Sequence, residues 1–345
     1  MKLLNERDLI IIGNGFDLFH GVNSSYYSFK KYVDKHNKIL SFDFDICFEC
    51  DDIWGDFENN LALLSREMLM ESVDNMLDIN MSTFDEQDDD FSAAEYFMSI
   101  EMGTQPVQDL TEELPRCFRK WIKTLSATGE QQESCTKLLK NDSLYINFNY
   151  TEFLETLYQI PKKQILYIHG NRNDKKEELI LGHGQDPEHN FDEWHDRNKG
   201  NKRFRDFKTN KKGKRYRNNN LTYSTYFLDD PAKGNWRTPI RYYAAGNASG
   251  IIEGYFEESA KKTGNVISDN SDFFFKLRSV EQITVLGHSL SPVDYPYFRK
   301  IIDVNENPDK IYWRISWYSE EDKTRIETFA QEAHIEMSNI ELIQL

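Results

Sequence analysis

Leu9-Ile10-Ile11-Ile12-Gly13-Asn14-Gly15-Phe16-Asp17 is a short, β-branched apolar run that ends abruptly in a glycine turn. A run with almost no polar position suits a strand buried on both faces of a parallel sheet, and Gly13 stops it. Comparable strand candidates fall at residues 143–148, 164–168, 178–181, 282–286, 311–317 and 340–343, with helix-length amphipathic segments between several of them. This alternation predicts an α/β fold, a Rossmann-like parallel sheet with helices on both faces.

Two stretches interrupt the alternation. Residues 53–139 carry helical spacing, as in Phe57, Leu61 and Leu64 and again in Leu114, Phe118, Trp121, Ile122 and Leu125, and are expected to form a helical insertion. Within it the acidic run from Asp85 to Asp90 reads as a solvated loop. Residues 184–250 are polar, aromatic and rich in Asn and Gly, which predicts an irregular, partly basic insertion. From Lys202 to Arg217 there are nine basic residues against one acidic. That segment is either a solvated loop or an anion-facing arm, in which Phe204, Phe207 and Tyr216 add stacking surfaces for nucleic acid or for an acidic surface of a second copy. With no internal repeat and no long linker, residues 1–345 read as a single elaborated domain.

Composition narrows the function classes. A chain of 345 residues, 39% hydrophobic, can bury a sizeable core. Its net charge of −16 opposes unspecific attraction to phosphate backbones, so nucleic acid is not the default partner. No stretch approaches the roughly 18 apolar residues of a membrane helix. The opening MKLLNERD becomes charged before a signal core can form, and the expectation is a cytoplasmic protein without membrane contact. Cys47, Cys50, Cys117 and Cys135 are too sparse for a disulfide framework. The lone CxxC at Cys47 and Cys50 lacks two further ligands for tetrahedral zinc, so structural thiols and no metal are expected.

The chemistry is expected where strands end. A turn at Gly13-Asn14-Gly15-Phe16-Asp17 lets backbone N–H groups face an anionic or ribose-bearing ligand at the C-terminal edge of the sheet, although a merely tight turn would have the same residues. Asn149 follows a strand in Asn147-Phe148-Asn149-Tyr150-Thr151, where it points into the same edge or bonds its own backbone, and Thr151 suits the cap of the next helix. His169-Gly170 and Gly287-His288-Ser289-Leu290 end two more strands. Asp17 and His20, three apart, share one helix face, with Asp17 either part of the chemistry or a partner of the helix N-terminus. Glu58 and Glu155 are further acidic candidates.

Taken in order, GNGFDLFHG, FNYT, IHG, LGHG and LGHSLSPVD resemble the motifs of the AbiH family of phage abortive-infection proteins over nearly the whole chain. That family is in turn distantly similar to sirtuin-like NAD-binding domains. The resemblance implies a crevice for NAD or a related nucleotide, with Gly13, Asn14, Gly15, Phe16, Gly170, Gly287, His288, Ser289 and Asp294 binding it. Asn149 and His169 would meet the nicotinamide ribose, with Gly287 and Ser289 at the adenosine ribose. Asn149, His169 and Asp17 are the implied catalytic residues, because asparagine can hold a ribose hydroxyl or water and histidine titrates near neutrality. The chain departs from the sirtuin pattern in Asn14, Phe16 and Asp17, in Thr151 where sirtuin-like hydrolases have Asp, and in lacking a four-cysteine zinc module. These departures argue against deacylation and leave cleavage of the N-glycosidic bond of NAD as the expected reaction. A homo-oligomer and a partner protein of a defence system are the expected associations. Two other classes stay open: a metal-dependent nuclease acting on DNA or tRNA through Asp17, His183 and Asp294, and a non-catalytic nucleotide sensor.

Overall fold

A computed structural model of the chain describes residues 7–81, 93–126, 130–174, 178–218, 220–228 and 239–344. The acidic run from Asp85 to Asp90 lies outside the described residues. The chain divides into two compact units, one of Met1–Tyr32, Arg116–Leu181 and Lys261–Leu345, the other of Val33–Pro115 and Gly182–Ala260.

Eight strands are described: β1 (Asp8–Ile12), β2 (Leu144–Asn147), β3 (Ile165–Tyr167), β4 (Phe207–Thr209), β5 (Arg215–Arg217), β6 (Gln282–Leu286), β7 (Tyr312–Trp317) and β8 (Ile340–Gln344). Six of them build the first unit as one parallel sheet in the order β3-β2-β1-β6-β7-β8. From β1 the chain winds outward through β2 and β3, then returns to the other side of β1 and winds through β6, β7 and β8. The order therefore reverses between β1 and β6, the place where doubly wound sheets open a crevice at the C-terminal strand ends.

The apolar run of β1 explains why the sheet is covered on both sides. Side chains alternate between faces, so Leu9 and Ile11 enter one core with Leu144, Ile146, Ile283, Val285, Trp313 and Ile315. Ile10 and Ile12 enter the opposite core with Tyr145, Leu154 and Leu286. Each such buried side chain stabilises the fold by roughly 1.5–3 kcal/mol.

Residues 178–181, expected as a strand, do not join the sheet. Their backbone is taken up by loops instead: Ile180 N–H donates to the His169 carbonyl (3.0 Å), and the Tyr150 hydroxyl donates to the Ile180 carbonyl (2.8 Å). The segment is as β-favourable as a strand, but its hydrogen bonds serve the turn after β3.

The second unit is mainly helical. Helices Lys38–Ile46, Arg66–Met81, Ala93–Gln108, Pro187–Asn198, Leu221–Tyr226 and Pro239–Glu258 belong to it, together with the β4–β5 hairpin. Residues 184–250 are thus more regular than their composition suggests. Asp186 caps the helix Pro187–Asn198 by accepting from His189 N–H, and Asn220 caps Leu221–Tyr226 by accepting from Tyr223 N–H. At its centre Arg66, buried, makes a two-point bond to Glu253 (2.9 Å from Nε to Oε1 and 2.9 Å from Nη2 to Oε2). The Phe256 ring lies 3.9 Å from the guanidinium carbon, with Phe191 and Trp194 at 5.5 and 5.4 Å. A guanidinium tolerates this setting because its flat face meets aromatic rings while its edge meets a carboxylate. No helix among the described residues is long and apolar enough to cross a membrane.

Candidate functional site

The turns after β1 and β6 meet at the point where the strand order reverses. Gly13 N–H donates to the Leu286 carbonyl (3.0 Å) and Gly15 N–H to the Gly287 carbonyl (2.7 Å). A β-carbon on Gly13 would lie 2.4 Å from the His288 α-carbon, and one on Gly287 would lie 2.1 Å from the Phe16 nitrogen. Gly287 also has φ +64°, so glycine is required twice over. The two turns thus pack backbone on backbone, and with Phe16 N–H donating to the Gly13 carbonyl (3.0 Å) three N–H groups of the first turn are committed to the protein itself. Asn14 is exposed and its side chain donates to the Ser24 carbonyl (3.1 Å), whereas the Phe16 ring is buried against His20 and Tyr158. Ser289 is exposed at the same edge.

Asp17 lies on the helix Asn14–Phe19, directly after β1, and the residue is 2% exposed. Asn149 Nδ2 donates to Asp17 Oδ1 (2.7 Å) and to the Gly13 carbonyl (3.0 Å), and the Thr151 hydroxyl donates to Asp17 Oδ2 (2.6 Å). The local turn is held by Asn147, whose Oδ1 accepts from Asn149 N–H (2.9 Å) and whose Nδ2 donates to the Thr151 carbonyl (3.2 Å). Asn147 therefore bonds the backbone and frees Asn149 to reach across. Thr151, expected to cap the next helix, instead serves Asp17; the helix Phe153–Tyr158 starts without a side-chain cap. Burial pushes the Asp17 carboxyl up to about 7, against the two donors and Arg172, which hold it down, while Glu152 raises it. Arg172 is locked in place by a two-point bond to Glu152 (2.7 and 2.6 Å) and by donation to the Ile122 and Leu125 carbonyls. Asn149 Oδ1 accepts no hydrogen bond among the described residues.

A second buried group gathers around Asp294, from the segment after β6. Its Oδ1 lies 3.4 Å from His169 Nε2 and 3.4 Å from Lys261 Nζ, its Oδ2 lies 3.5 Å from His288 Nε2, and Lys261 Nζ lies 3.3 Å from His169 Nε2. Burial would raise the Asp294 carboxyl, but the Lys261 ammonium, followed by His169 and His288, holds it well below the usual carboxylate range. Burial pushes the His288 imidazole down to about 4, so it is neutral at pH 7. Its Nδ1 accepts from Leu290 N–H (2.9 Å), which leaves the proton on Nε2 facing Asp294. The Phe148 ring stands edge-on to both imidazoles, with centroids 5.3 Å from His169 and 4.4 Å from His288.

Strand ends β1, β2, β3 and β6 thus contribute Asp17, Asn149, His169 and the His288–Asp294 segment to one edge of one sheet, in two separately bonded groups. His20 departs from Asp17: its Nδ1 donates to the Phe16 carbonyl (2.7 Å), and its Nε2 accepts from the Tyr158 hydroxyl (2.6 Å). Glu155 accepts from the Tyr167 hydroxyl (2.7 Å). His183 belongs to the other unit, where burial pushes it down to about 4, and Glu58 belongs there too. Among the described residues no group of three or more His, Cys, Asp or Glu side chains is placed to hold a metal ion. Asp294 already has an ammonium beside it, which disfavours a second cation. Cys47 is a buried free thiol, pushed up to about 12 by burial and by Asp43 and Asp109, and is inert as a nucleophile. Lys261 carries no sequence signal: beside Lys262 it reads as one of two solvated lysines.

The fold and its edge define a doubly wound α/β protein with a buried polar centre at the reversal of strand order. The sequence model of the family described as bacteriophage abortive infection AbiH matches residues 9–317, and the chain belongs to that family. Its family role is phage abortive infection. No curated protein and no solved structure matches the chain.

Proposed function

We propose that this chain binds NAD or a closely related nucleotide at the C-terminal edge of its sheet and hydrolyses the N-glycosidic bond, so that abortive infection proceeds by loss of a central cofactor. The observation that carries this reading is the Asp17–Asn149 pair. A buried carboxyl poised near neutral pH is tied to an asparagine whose own Oδ1 is left to accept a ribose hydroxyl or a water. The resemblance of the strand-end motifs to sirtuin-like NAD-binding domains supports the same assignment.

The chemistry follows from the charges. Breaking the bond from ribose C1′ to the pyridinium nitrogen leaves its electron pair on neutral nicotinamide and builds positive charge on the ribose. Carboxylate Asp17 stabilises that charge electrostatically. The water oxygen, held by Asn149, then bonds to C1′, and its proton passes to Asp17. His169, fixed by Asp294, orients the ribose hydroxyl. Because the Gly13 and Gly15 N–H groups are internally bonded, the nucleotide is held by side chains and by the exposed turn at Ser289 rather than by those donors.

Purified protein incubated with NAD tests the reading by quantifying nicotinamide and ADP-ribose. Both should accumulate in equal amounts with wild type and be lost in Asp17→Asn and Asn149→Ala, each shown to be folded by a cooperative thermal transition above the assay temperature. NAD binding without nicotinamide release would make the chain a sensor. Nicked nucleic acid that requires added divalent metal would make it a nuclease.

A further inference from the structure

The hairpin of β4 and β5 plays no part in that reading. Its register pairs Phe207 with Arg217, Lys208 with Tyr216 and Thr209 with Arg215, and paired residues share a face. Phe207, Thr209, Arg215 and Arg217 therefore lie on one face, Lys208 and Tyr216 on the other, with Lys211, Lys212 and Lys214 in the connecting turn. The base is firmly seated. Phe204 is buried and stacks on Phe227 at 4.7 Å, Tyr223 hydroxyl donates to Asp206 (2.6 Å), and Asn218 Nδ2 donates to the Arg203 carbonyl (2.8 Å).

Arg203 pairs with Glu67 (2.7 Å). Lys202, Arg205, Lys211, Lys212, Lys214 and Arg215 make no ion pair among the described residues, and Lys208 makes no direct one but acts on the Glu67 carboxylate at longer range. Seven such cations between Lys202 and Arg215 in a chain of net charge −16 repel one another, and the Glu67 carboxylate that Lys208 acts on is already bonded to Arg203. The aromatic residues narrow what the missing anion is. The Arg215 guanidinium lies 4.0 Å over the Phe207 ring, with that of Arg217 at 5.9 Å; Phe207 is 42% exposed, and on the opposite face Tyr216 is 43% exposed. Flat surfaces flanked by cations match bases joined by phosphates. Acidic protein surfaces offer charge but no bases to stack.

We propose that this hairpin binds single-stranded nucleic acid, with phosphates held by the lysines of the turn and bases stacked on Tyr216 and on the Arg215–Phe207 platform. The test is fluorescence anisotropy of the full chain with a labelled mixed-sequence single strand and with the same sequence as a duplex, across a salt series. For wild type the logarithm of affinity should fall against the logarithm of salt with a slope of about −3 or steeper, from at least four phosphate contacts. Replacing Lys211, Lys212 and Lys214 by Ser should make that slope shallower by about 2. Tyr216→Ala should weaken single-strand binding roughly five- to hundredfold and duplex binding less. A wild-type slope near zero overturns the proposal, and this needs no variant to fold. So do unchanged affinity in both variants, equal loss on single strand and duplex in Tyr216→Ala, or a triple-serine variant that alters only the oligomeric mass, which would make the hairpin a contact to an acidic face of a second copy. Activity on NAD should be the same in all these variants, so failure here leaves the catalytic proposal standing.

Discussion

Asn149 Nδ2 donates to Asp17 Oδ1 at 2.7 Å and so ties the turn after β2 to the first helix after β1. Together with the Thr151 hydroxyl it gives the buried carboxylate two donors, each worth about 1.5–3 kcal/mol when the acceptor is charged. Thr151→Val removes one donor and keeps the shape of the side chain. It should raise the Asp17 pKa by about 1–2 units above its value near 7, since each unit corresponds to about 1.4 kcal/mol. The pH profile of NAD turnover reads this directly: its acidic limb should move to higher pH in Thr151→Val. A limb that stays in place would remove Asp17 as the titrating group.

The same carboxyl makes stability depend on pH with a definite sign. Its pKa is raised from 3.8 to about 7 on folding, so between these values the folded chain holds a proton that the unfolded chain has lost. Asp17 therefore costs nothing below about pH 4, destabilises progressively as pH rises, and levels off above about 7. Asp17→Asn does not titrate. The stability of wild type relative to Asp17→Asn should fall by an amount on the order of 4 kcal/mol between pH 4 and pH 8. Denaturant melts of both proteins at several pH values provide the difference, and a flat curve would contradict the raised pKa.

Around Asp294 the decisive contact is the Lys261 ammonium at 3.4 Å, with both side chains buried. Lys261→Met would leave a buried carboxylate facing two imidazoles without its main counter-charge and should cost about 3–5 kcal/mol. Asp294→Asn should be costly for the converse reason. The double variant Lys261→Met with Asp294→Asn should be markedly more stable than the sum of the two losses implies, because neither charge is then stranded. Additive losses in chemical denaturation would show that the two groups are not coupled.

What the sequence reveals depends on whether a residue acts locally or across the fold. The alternation of Leu9 and Ile11 against Ile10 and Ile12 needs only period two, and it leads to a sheet buried on both faces. Strand ends at Gly13, Asn149, His169 and Gly287 follow from the same pattern, which is why the candidate edge is legible. Partner choice is not. Asn147 and Asn149 are equally good turn residues, and only the backbone path decides that the first holds the turn and the second reaches Asp17. Thr151 has the sequence position of a cap and the structural position of a donor to Asp17. Residues 178–181 have strand composition, but the turn after β3 takes their hydrogen bonds first. Lys261 becomes visible only once Asp294 is placed beside it.

Gly287 offers the sharpest test of the junction between the turns after β1 and β6. Two costs add at this position. A side chain at φ +64° is strained by roughly 1–2 kcal/mol, and a β-carbon there would lie 2.1 Å from the Phe16 nitrogen and 2.8 Å from the Gly15 α-carbon, both backbone atoms that cannot swing aside. Gly213 separates the two effects, since it has φ +77° in the β4–β5 hairpin but open space where a β-carbon would stand. Gly213→Ala should therefore lose only about 1–2 kcal/mol, or less if the hairpin turn relaxes. Gly287→Ala must also push the first turn away from the second, breaking the Gly15 N–H bond to the Gly287 carbonyl, and should lose about 3 kcal/mol or more. It should also displace Asn149, which bonds the Gly13 carbonyl, and Asp17, which follows that turn in the helix Asn14–Phe19. Thermal melts of both variants beside NAD turnover check the argument: equal melting temperatures would mean that the two turns are not packed as closely as their backbones indicate.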